Sequence, residues 1–361
     1  MNAVPKPSHF AAPFVRRHPG EEGMMAVLTR LAEEAEVPPT RLMADLAALA
    51  LGPGRIALSD YERLRLHDHG FWGEADRREV AGARRARDLC LAANFRRDWF
   101  ALASDSLASS LYLAVHGLPA VPVLGIYRAG LAAPGELLLR TREELRAFLA
   151  GRVGEPLSAC AEGRPPRVLF AHEGRDPEAE IDRLIDEARD TPGVGWVFRP
   201  LVAPHPKTPR GDGETQLALA PVRLLTMAGG KSAAVFGALW RLGGPDQLVA
   251  SIDLKTGEAI RLAPAAAPER AVPAPPGLAV PDWRAVKAAA TEGGRLFRQF
   301  GLLGWDVAPG AEGPVILGLD PTPDLGPHQL LERRGVLDSA FLAFLDERRR
   351  LRAEWRRAAT E

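Results

Sequence analysis

The sequence predicts an α+β fold with a helical N-terminal region, and three observations predict it. Apolar residues recur at helical spacing through the first hundred positions, as in "MMAVLTRLAEEAE". Near Ser104 the texture changes to short apolar runs between Gly-containing turns, such as "GVGWVFRPLV" and "SAAVFGALWRLG". Further helical segments are interspersed with these runs, so mixed layers follow the helical start.

Each element is predicted by its own residues. "PPTRLMADLAALALG" makes a second helix that starts after its Pro pair and stops at Gly52. In "LSDYERLRLHDHG", Ser59 is the expected N-cap and Gly70 the stop. "EADRREVAGARRARDLCLAANF" continues the helical pattern with one charged face. "SLASSLYLAVHG" predicts a helix, "PAVPVLGIYRAG" a strand and "TREELRAFLAG" a short capped helix. Strands are expected in "PRVLFAHEG", "GVGWVFRPLV", "APVRLLTMAG", "SAAVFGALWRLG" and "LVASIDLKTGEAIRLAP". The Pro/Ala-rich "APAAAPERAVPAPPGLAVP" is expected to cross the surface. "DWRAVKAAATEGGRLFRQFG" is an amphipathic helix with Asp282 as its expected cap. A hairpin follows, and "LDSAFLAFLDERRRLRAEWRRA" closes the chain as a helix with a basic end. Residues 1–20 are expected to be flexible.

Bulk composition narrows the function classes. The 361 residues suffice for two or three packed units. Net charge is zero, with 46 basic and 46 acidic side chains, so no global field attracts nucleic acid or an anionic membrane. Two cysteines, Cys90 and Cys160, are too few for a disulfide framework or a structural zinc site. No apolar run is long enough for a membrane span, and the start lacks a signal peptide's apolar core. The expectation is a cytoplasmic protein.

Lysine usage is more selective. The five lysines are Lys6, Lys207, Lys231, Lys255 and Lys287, so the other 41 basic residues are arginines. A general arginine preference explains surface positions. Enzymes that use ATP, however, place a compact ammonium on the phosphates. Between Lys6 and Lys207 this chain has none to offer.

One stretch carries candidate chemistry: "GWDVAPGAEGPVILGLDPTPDLGPHQ". Asp306 ends an apolar approach, "PGAEG" turns the chain, and the return strand delivers Asp320. Paired carboxylates on neighbouring strands are how Mg²⁺ is held against nucleotide phosphates. A turn-capping role for Asp306 is the competing reading. A glutamate is expected on the return strand where Gly318 stands. Arg223 and Arg241 project from adjacent predicted strands and are candidate clamps for a phosphate or a substrate carboxylate. The alternative for each is a solvated strand arginine.

Several pieces in order resemble the sugar-transfer-associated ATP-grasp proteins, a branch near the α-L-glutamate ligases. They are "LSDYERLRL", "NFRRDWFALASDSL", "HGLPAVPVLGIY", "PLVAPHP", "APVRLLTM", "SIDLKTGEAI" and "GWDVAPGAEGPVILGLD…HQ", between about Ile56 and Leu345. "GWDVA…GPVIL" is the most specific. The resemblance implies residues 104–200 and 201–361 as two α+β subdomains around a nucleotide cleft, the second ending in the C-terminal helix. Residues 21–103 are the helical N-terminal region, for which a docking or lid role is expected. The Asp306 hairpin is expected on the cleft floor. ATP and Mg²⁺ are the implied cofactors, and a small-molecule or glycan-precursor ligand or a protein is the implied partner. The implied reaction is carboxylate phosphorylation by ATP, followed by capture of the acyl phosphate.

Departures fall on the phosphate- and metal-binding groups. By the resemblance, Ser106 and Cys160 stand where the family has its ATP lysines, and Gly318-Leu319-Asp320 replaces a Glu-x-Asn. Arg164 and Arg167 are near enough in sequence to substitute for the second lysine. Arg223 survives in a motif whose other polar members are gone. The strand through Val197 and Arg199 to Leu201 is implied as the linker that meets adenine through backbone amides. His205 matches a family position, or simply stiffens a loop between prolines. The expected function is therefore an ATP-grasp protein with weakened or lost ATP use, the alternative being an active ATP- and Mg²⁺-dependent ligase.

Three lesser features have ordinary readings. His67 and His69 lack a third ligand nearby and read as surface polar residues. Cys160 has no histidine partner in sequence and reads as a small apolar residue. The C-terminal "ERRRLRAEWRR" interleaves acids and reads as a solvated helix face.

Overall fold

The computed structural model describes residues 23–73, 76–127, 137–161, 167–170, 176–189, 195–209, 219–230, 232–243 and 247–358. The expected flexible segment 1–20 and the candidate Arg164 lie outside them.

The chain begins as a small helical unit. Helix α1 (Met24–Glu34) and helix α2 (Pro39–Leu51) bury Val27, Leu28 and Leu31 against Leu42 and Leu49. Pro39 opens α2 because its missing N–H costs nothing at the first helical position. The segment expected as one Ser59-capped helix ending at Gly70 is instead two short ones. Helix α3 (Leu58–Arg63) has Ala57 at its N-cap, and Ser59 lies within its first turn. Arg65 then takes a positive φ of 48°, which breaks the helix and lets Leu66 N–H donate back to Tyr61 O. Helix α4 (His69–Trp72) follows, capped by Asp68, which accepts from Phe71 N–H at 2.8 Å. Asp68 of the His-Asp-His run is thus a helix cap, and His67 is buried rather than at the surface.

Helices α5 (Ala83–Ala93), α6 (Phe100–Ser104) and α7 (Ser106–Val115) carry the chain to two sheets. The smaller sheet holds β1 (Gly125–Tyr127), β2 (Leu138–Leu139), β3 (Leu157–Ala161), β4 (Arg167–Leu169) and β5 (Trp196–Pro200), in the order β2-β1-β5-β3-β4. Helices α8 (Arg142–Ala150) and α9 (Pro177–Arg189) supply Leu145, Leu149, Ile181 and Leu184 to one of its faces. Helix α8 starts where Thr141 Oγ1 accepts from Glu144 N–H, while the Glu144 carboxylate accepts from Arg140 N–H.

The larger sheet is antiparallel and seven-stranded, in the order β10-β9-β8-β7-β6-β11-β12. Its strands are β6 (Val222–Ala228), β7 (Ala233–Gly243), β8 (Leu248–Ile252), β9 (Ala259–Pro264), β10 (Val272–Pro273), β11 (Leu302–Gly310) and β12 (Gly313–Asp320). The Pro/Ala-rich stretch is more than a crossing. It supplies the edge strand β10 and buries Pro268 and Val280.

Helix α10 (Trp283–Leu296) covers one face of this sheet, over Val222, Leu224 and Trp305. Its Gly293 disfavours a helix by propensity, yet a Cβ there would come 2.3 Å from the Trp305 ring. Trp305 Nε1 donates to Thr226 Oγ1 at 2.9 Å, which satisfies the indole in the core. Asp282 does not cap α10 through its side chain. Its backbone is left-handed (φ 48°), so its carbonyl accepts from Ala285 and Val286 while its carboxylate lies 3.6 Å from His205 Nε2.

Helices α5, α11 (Gly326–Glu332) and α12 (Ser339–Ala358) cover the opposite face, burying Leu225 and Leu302. Three polar side chains fasten the N-terminal helices here. Asn94 Nδ2 donates to Leu302 O and Pro321 O, and its Oδ1 accepts from Gly301 and Leu302 N–H. Gln329 exchanges two hydrogen bonds with the Ala81 backbone. Arg348 of α12 donates to the carbonyls of Ala93, Ala228, Arg298 and Gln299.

Candidate functional site

The larger sheet places the predicted acids and arginines on one face. Asp306 of β11 is the cross-strand partner of Arg223 on β6 and of Gly318 on β12, while Asp320 pairs with Gly304. Side chains directly opposite across antiparallel strands share a face, so all four positions look the same way. Leu239 of β7 pairs with Arg223, which puts Arg241, two residues on, diagonally from Arg223 on that same face.

Arg223 joins the two acids. Its Nε donates to Asp306 Oδ1 at 2.7 Å and its Nη2 to Asp306 Oδ2 at 2.7 Å, a bidentate pair. Its Nη1 donates to Asp320 Oδ2 at 2.9 Å. The remaining oxygen, Asp320 Oδ1, accepts from Thr322 N–H at 2.9 Å. Asp306 is 2% exposed and Arg223 9%. Burial opposes the guanidinium charge, but Asp306 and then Asp320 outweigh it and hold Arg223 above its ordinary value. A Cβ at Gly304 would lie 2.9 Å from Arg223 Nη1, so the glycine makes room for the arm that reaches Asp320.

Arg241 is lowered from its ordinary value, first by burial; Asp306 and Asp320 act in the opposite sense, and Arg223 adds to the lowering. Cys90 of α5 also approaches from the helical side. Burial, and after it Asp320 and Asp324, push its thiol well up, so it stays protonated.

A magnesium ion wants near-octahedral oxygen donors. All four carboxylate oxygens here already accept hydrogen bonds, three of them from one arginine. Among the described residues, no group of three His, Cys, Asp or Glu side chains is placed to hold a metal. As arranged, these residues do not fit Mg²⁺. The space for a third carboxylate exists, since a Cβ at Gly318 meets nothing within 4 Å.

The implied nucleotide residues lie on the smaller sheet and just beyond it. Val197 sits in the central strand, opposite Ile126 and Cys160, with its backbone inside the ladder. Leu201 N–H donates to Pro156 O. Arg199 faces away from the α8/α9 core, opposite Ser158, and its Nη2 donates to Ser106 O at 2.9 Å. His205 stiffens its loop: its Nδ1 accepts from Lys207 N–H at 3.1 Å, and its own N–H donates to Pro309 O at the hairpin end. Cys160 is half-buried, with its sulfur 3.5 Å from Ser158 Oγ. Arg167 is paired with Glu187 at 2.6 Å. Sequence reasoning gave no role to Asn94, Gln329 or Arg348. Their partners are backbone groups remote in sequence, and no local pattern marks that.

No family model matches the chain, and no curated protein matches it in sequence. Solved structures do match. The D-alanine-D-alanine ligase of Coxiella burnetii is 10% identical, with a TM-score of 0.42 over 72% of this chain and 63% of that one. A RimK domain ATP-grasp protein of Sphaerobacter thermophilus is 15% identical, with a TM-score of 0.37 over 67% of each chain. The N5-carboxyaminoimidazole synthetase of Staphylococcus aureus, solved with ADP, is 11% identical, with a TM-score of 0.41 over 74% of this chain and 58% of that one. The chain thus spans about two thirds or less of the length of these structures. No helix among the described residues is long and apolar enough to cross a membrane. The second of these is itself described as an ATP-grasp protein, and at these TM-scores the likeness assigns no role to any residue here.

Proposed function

We propose that this chain is a divergent ATP-grasp protein of the sugar-transfer-associated kind, derived from carboxylate ligases, whose ATP-dependent chemistry is weakened or lost. In this reading residues 104–200 and 201–361 are the two subdomains of the grasp. The space between them is kept as a binding surface for a small molecule, a glycan precursor or a protein partner. The observation that carries the proposal is Arg223, whose guanidinium engages three of the four carboxylate oxygens of Asp306 and Asp320. A fixed internal cation there does the charge compensation that a metal would otherwise do. Moving it out would strand a buried guanidinium, a cost of several kcal/mol. The absence of lysine at Ser106 and Cys160 supports the same reading.

The rival reading is an active ATP- and Mg²⁺-dependent ligase with Arg223 and Arg241 on the transferring groups. The open space beside Asp306 at Gly318 favours it. Calorimetry and thermal melts with a non-hydrolysable ATP analogue, with and without Mg²⁺, separate the two. The proposal expects Mg²⁺ to add nothing to whatever the nucleotide does. A Mg²⁺-dependent shift that Asp306→Asn abolishes would establish the ligase instead. At a hundred times its dissociation constant a ligand stabilises by about 2.7 kcal/mol, so a working site is easily seen.

A further inference from the structure

Arg199 stands out among the buried cations because little compensates it. Its residue is 8% exposed. Of the five N–H donors of a guanidinium, one from Nη2 reaches the Ser106 carbonyl at 2.9 Å. Its Nε is buried and has no hydrogen-bond partner. No carboxylate among the described residues lies within ion-pair distance of it. Burial lowers its pKa, while Cys160 and then Asp105 act in the opposite sense. A desolvated, half-satisfied guanidinium is unfavourable unless an anion completes it.

The surroundings fit such an anion. Arg199, Val197, Ser158 and Cys160 share the face of the smaller sheet that turns away from its helices. The Ser158 hydroxyl, directly across from Arg199, is a second donor on that face. The N-terminus of α7 is not itself the site, because Asp105 already accepts from Leu107 and Ala108 N–H. The Asp105 carboxylate is solvent-exposed, so water screens its repulsion of a bound anion.

We infer that Arg199 is the anchor of an oxyanion subsite on the cleft face of the smaller sheet, suited to a phosphoryl group and needing no metal. A planar fork of N–H donors matches phosphate oxygens, with the Ser158 hydroxyl alongside. The inference rests on the ATP-grasp reading for where the cleft lies, but it does not depend on whether chemistry survives. It gives the side chain of Arg199 a role that backbone recognition of adenine would not need.

Melting curves and calorimetry of the full chain in EDTA test it, with ATP, tripolyphosphate and adenosine as probes. ATP and tripolyphosphate should both stabilise the protein without Mg²⁺, and adenosine should not. Arg199→Gln keeps a donor for the Ser106 carbonyl but loses the charge, and should weaken ATP at least tenfold. Arg199→Lys should retain part of the response. Three results would overturn the inference: wild type indifferent to both phosphate probes, adenosine binding as well as ATP, or Arg199→Gln melting lower yet binding ATP unchanged. The last would make Arg199 a strut between β5 and α7. None of these bears on Mg²⁺ dependence at Asp306, so failure here leaves the proposed function standing.

Discussion

The two sheets treat a buried arginine in opposite ways. On the larger one, Arg223 makes three bonds to two carboxylates. On the smaller one, Arg199 has a single backbone carbonyl and an unpartnered Nε. The same residue type is in one place a closed internal pair and in the other an open cation. Losing one partner of a closed pair strands the other charge, whereas an open cation still has N–H donors left to offer. The sheet that looks like a metal site is therefore self-sufficient, and the one without carboxylates holds the unsatisfied charge.

Breaking the closed pair should produce the largest effect. Asp306→Ala leaves Arg223 buried with only Asp320, and should cost about 3–5 kcal/mol in urea unfolding. Asp306→Ala and Arg223→Met, made together with Asp320→Asn so that no acid is left without its cation, should recover much of that loss, since apolar replacement of a buried ion network is often near neutral. Purely additive losses in that combined variant would mean that the network contributes no more than separate contacts.

Arg348 extends the comparison to a buried arginine whose hydrogen bonds, among the described residues, all go to backbone carbonyls. It satisfies four carbonyls from three segments, and burial lowers its pKa to about 10. Arg348→Met strips those carbonyls of a donor and should cost about 2–3 kcal/mol. Arg348→Lys keeps a charge but cannot span the same set, so it should fall between. A melt unchanged in Arg348→Met would show that solvent replaces the guanidinium at no cost.

Which of this was legible in the sequence follows from the range of the interaction. Strand runs such as "APVRLLTM" and the helix starting at Thr141 were legible because apolar alternation and capping act over a few residues. Asp306 with Asp320 on one hairpin, and Arg223 with Arg241 on adjacent strands, were legible as two separate pairs. Their meeting on one face depends on the register between β6 and β11, which no local pattern marks. That Arg223 would saturate both acids was not legible. It depends on Gly304 leaving room for one guanidinium arm, a contact across strands. Ser59 failed as a cap because α3 already begins at Leu58, and the positive φ at Arg65 ended that helix before Gly70. The left-handed backbone at Asp282 kept its side chain from capping α10. Arg199 read as a position for backbone recognition, and only its burial sets its side chain apart.

The closed pair can also be sharpened by opening it to a metal. Gly318→Glu adds a third carboxylate beside Asp306 where a Cβ has free space. Packing strain should be slight, and like-charge repulsion should cost roughly 1 kcal/mol or less in the absence of divalent ions. Millimolar Mg²⁺ should then raise the melting temperature of the variant and leave the wild type unmoved. Equal stabilisation of both would mean that Arg223 does not keep the metal out.

The smallest effect lies away from both sheets, at His67 in the helical unit. It is 5% exposed, its Nδ1 has no partner, and Glu34 approaches Nε2 only to 3.6 Å. Burial is the largest influence and lowers its pKa below 6.5. Glu34 and Asp68 pull the other way, and Arg65 and Arg30 reinforce the lowering. For a base with a depressed folded-state pKa, the unfolded chain binds the proton first as pH falls. Stability is therefore unaffected well above 6.5 and declines as pH drops below it, levelling off once the folded protein also protonates. Unfolding measured between pH 7.5 and 5 should show this decline, and His67→Gln should flatten it without changing the Arg223 site. A profile that is flat in wild type, or as steep in His67→Gln, would place the acid sensitivity elsewhere in the chain.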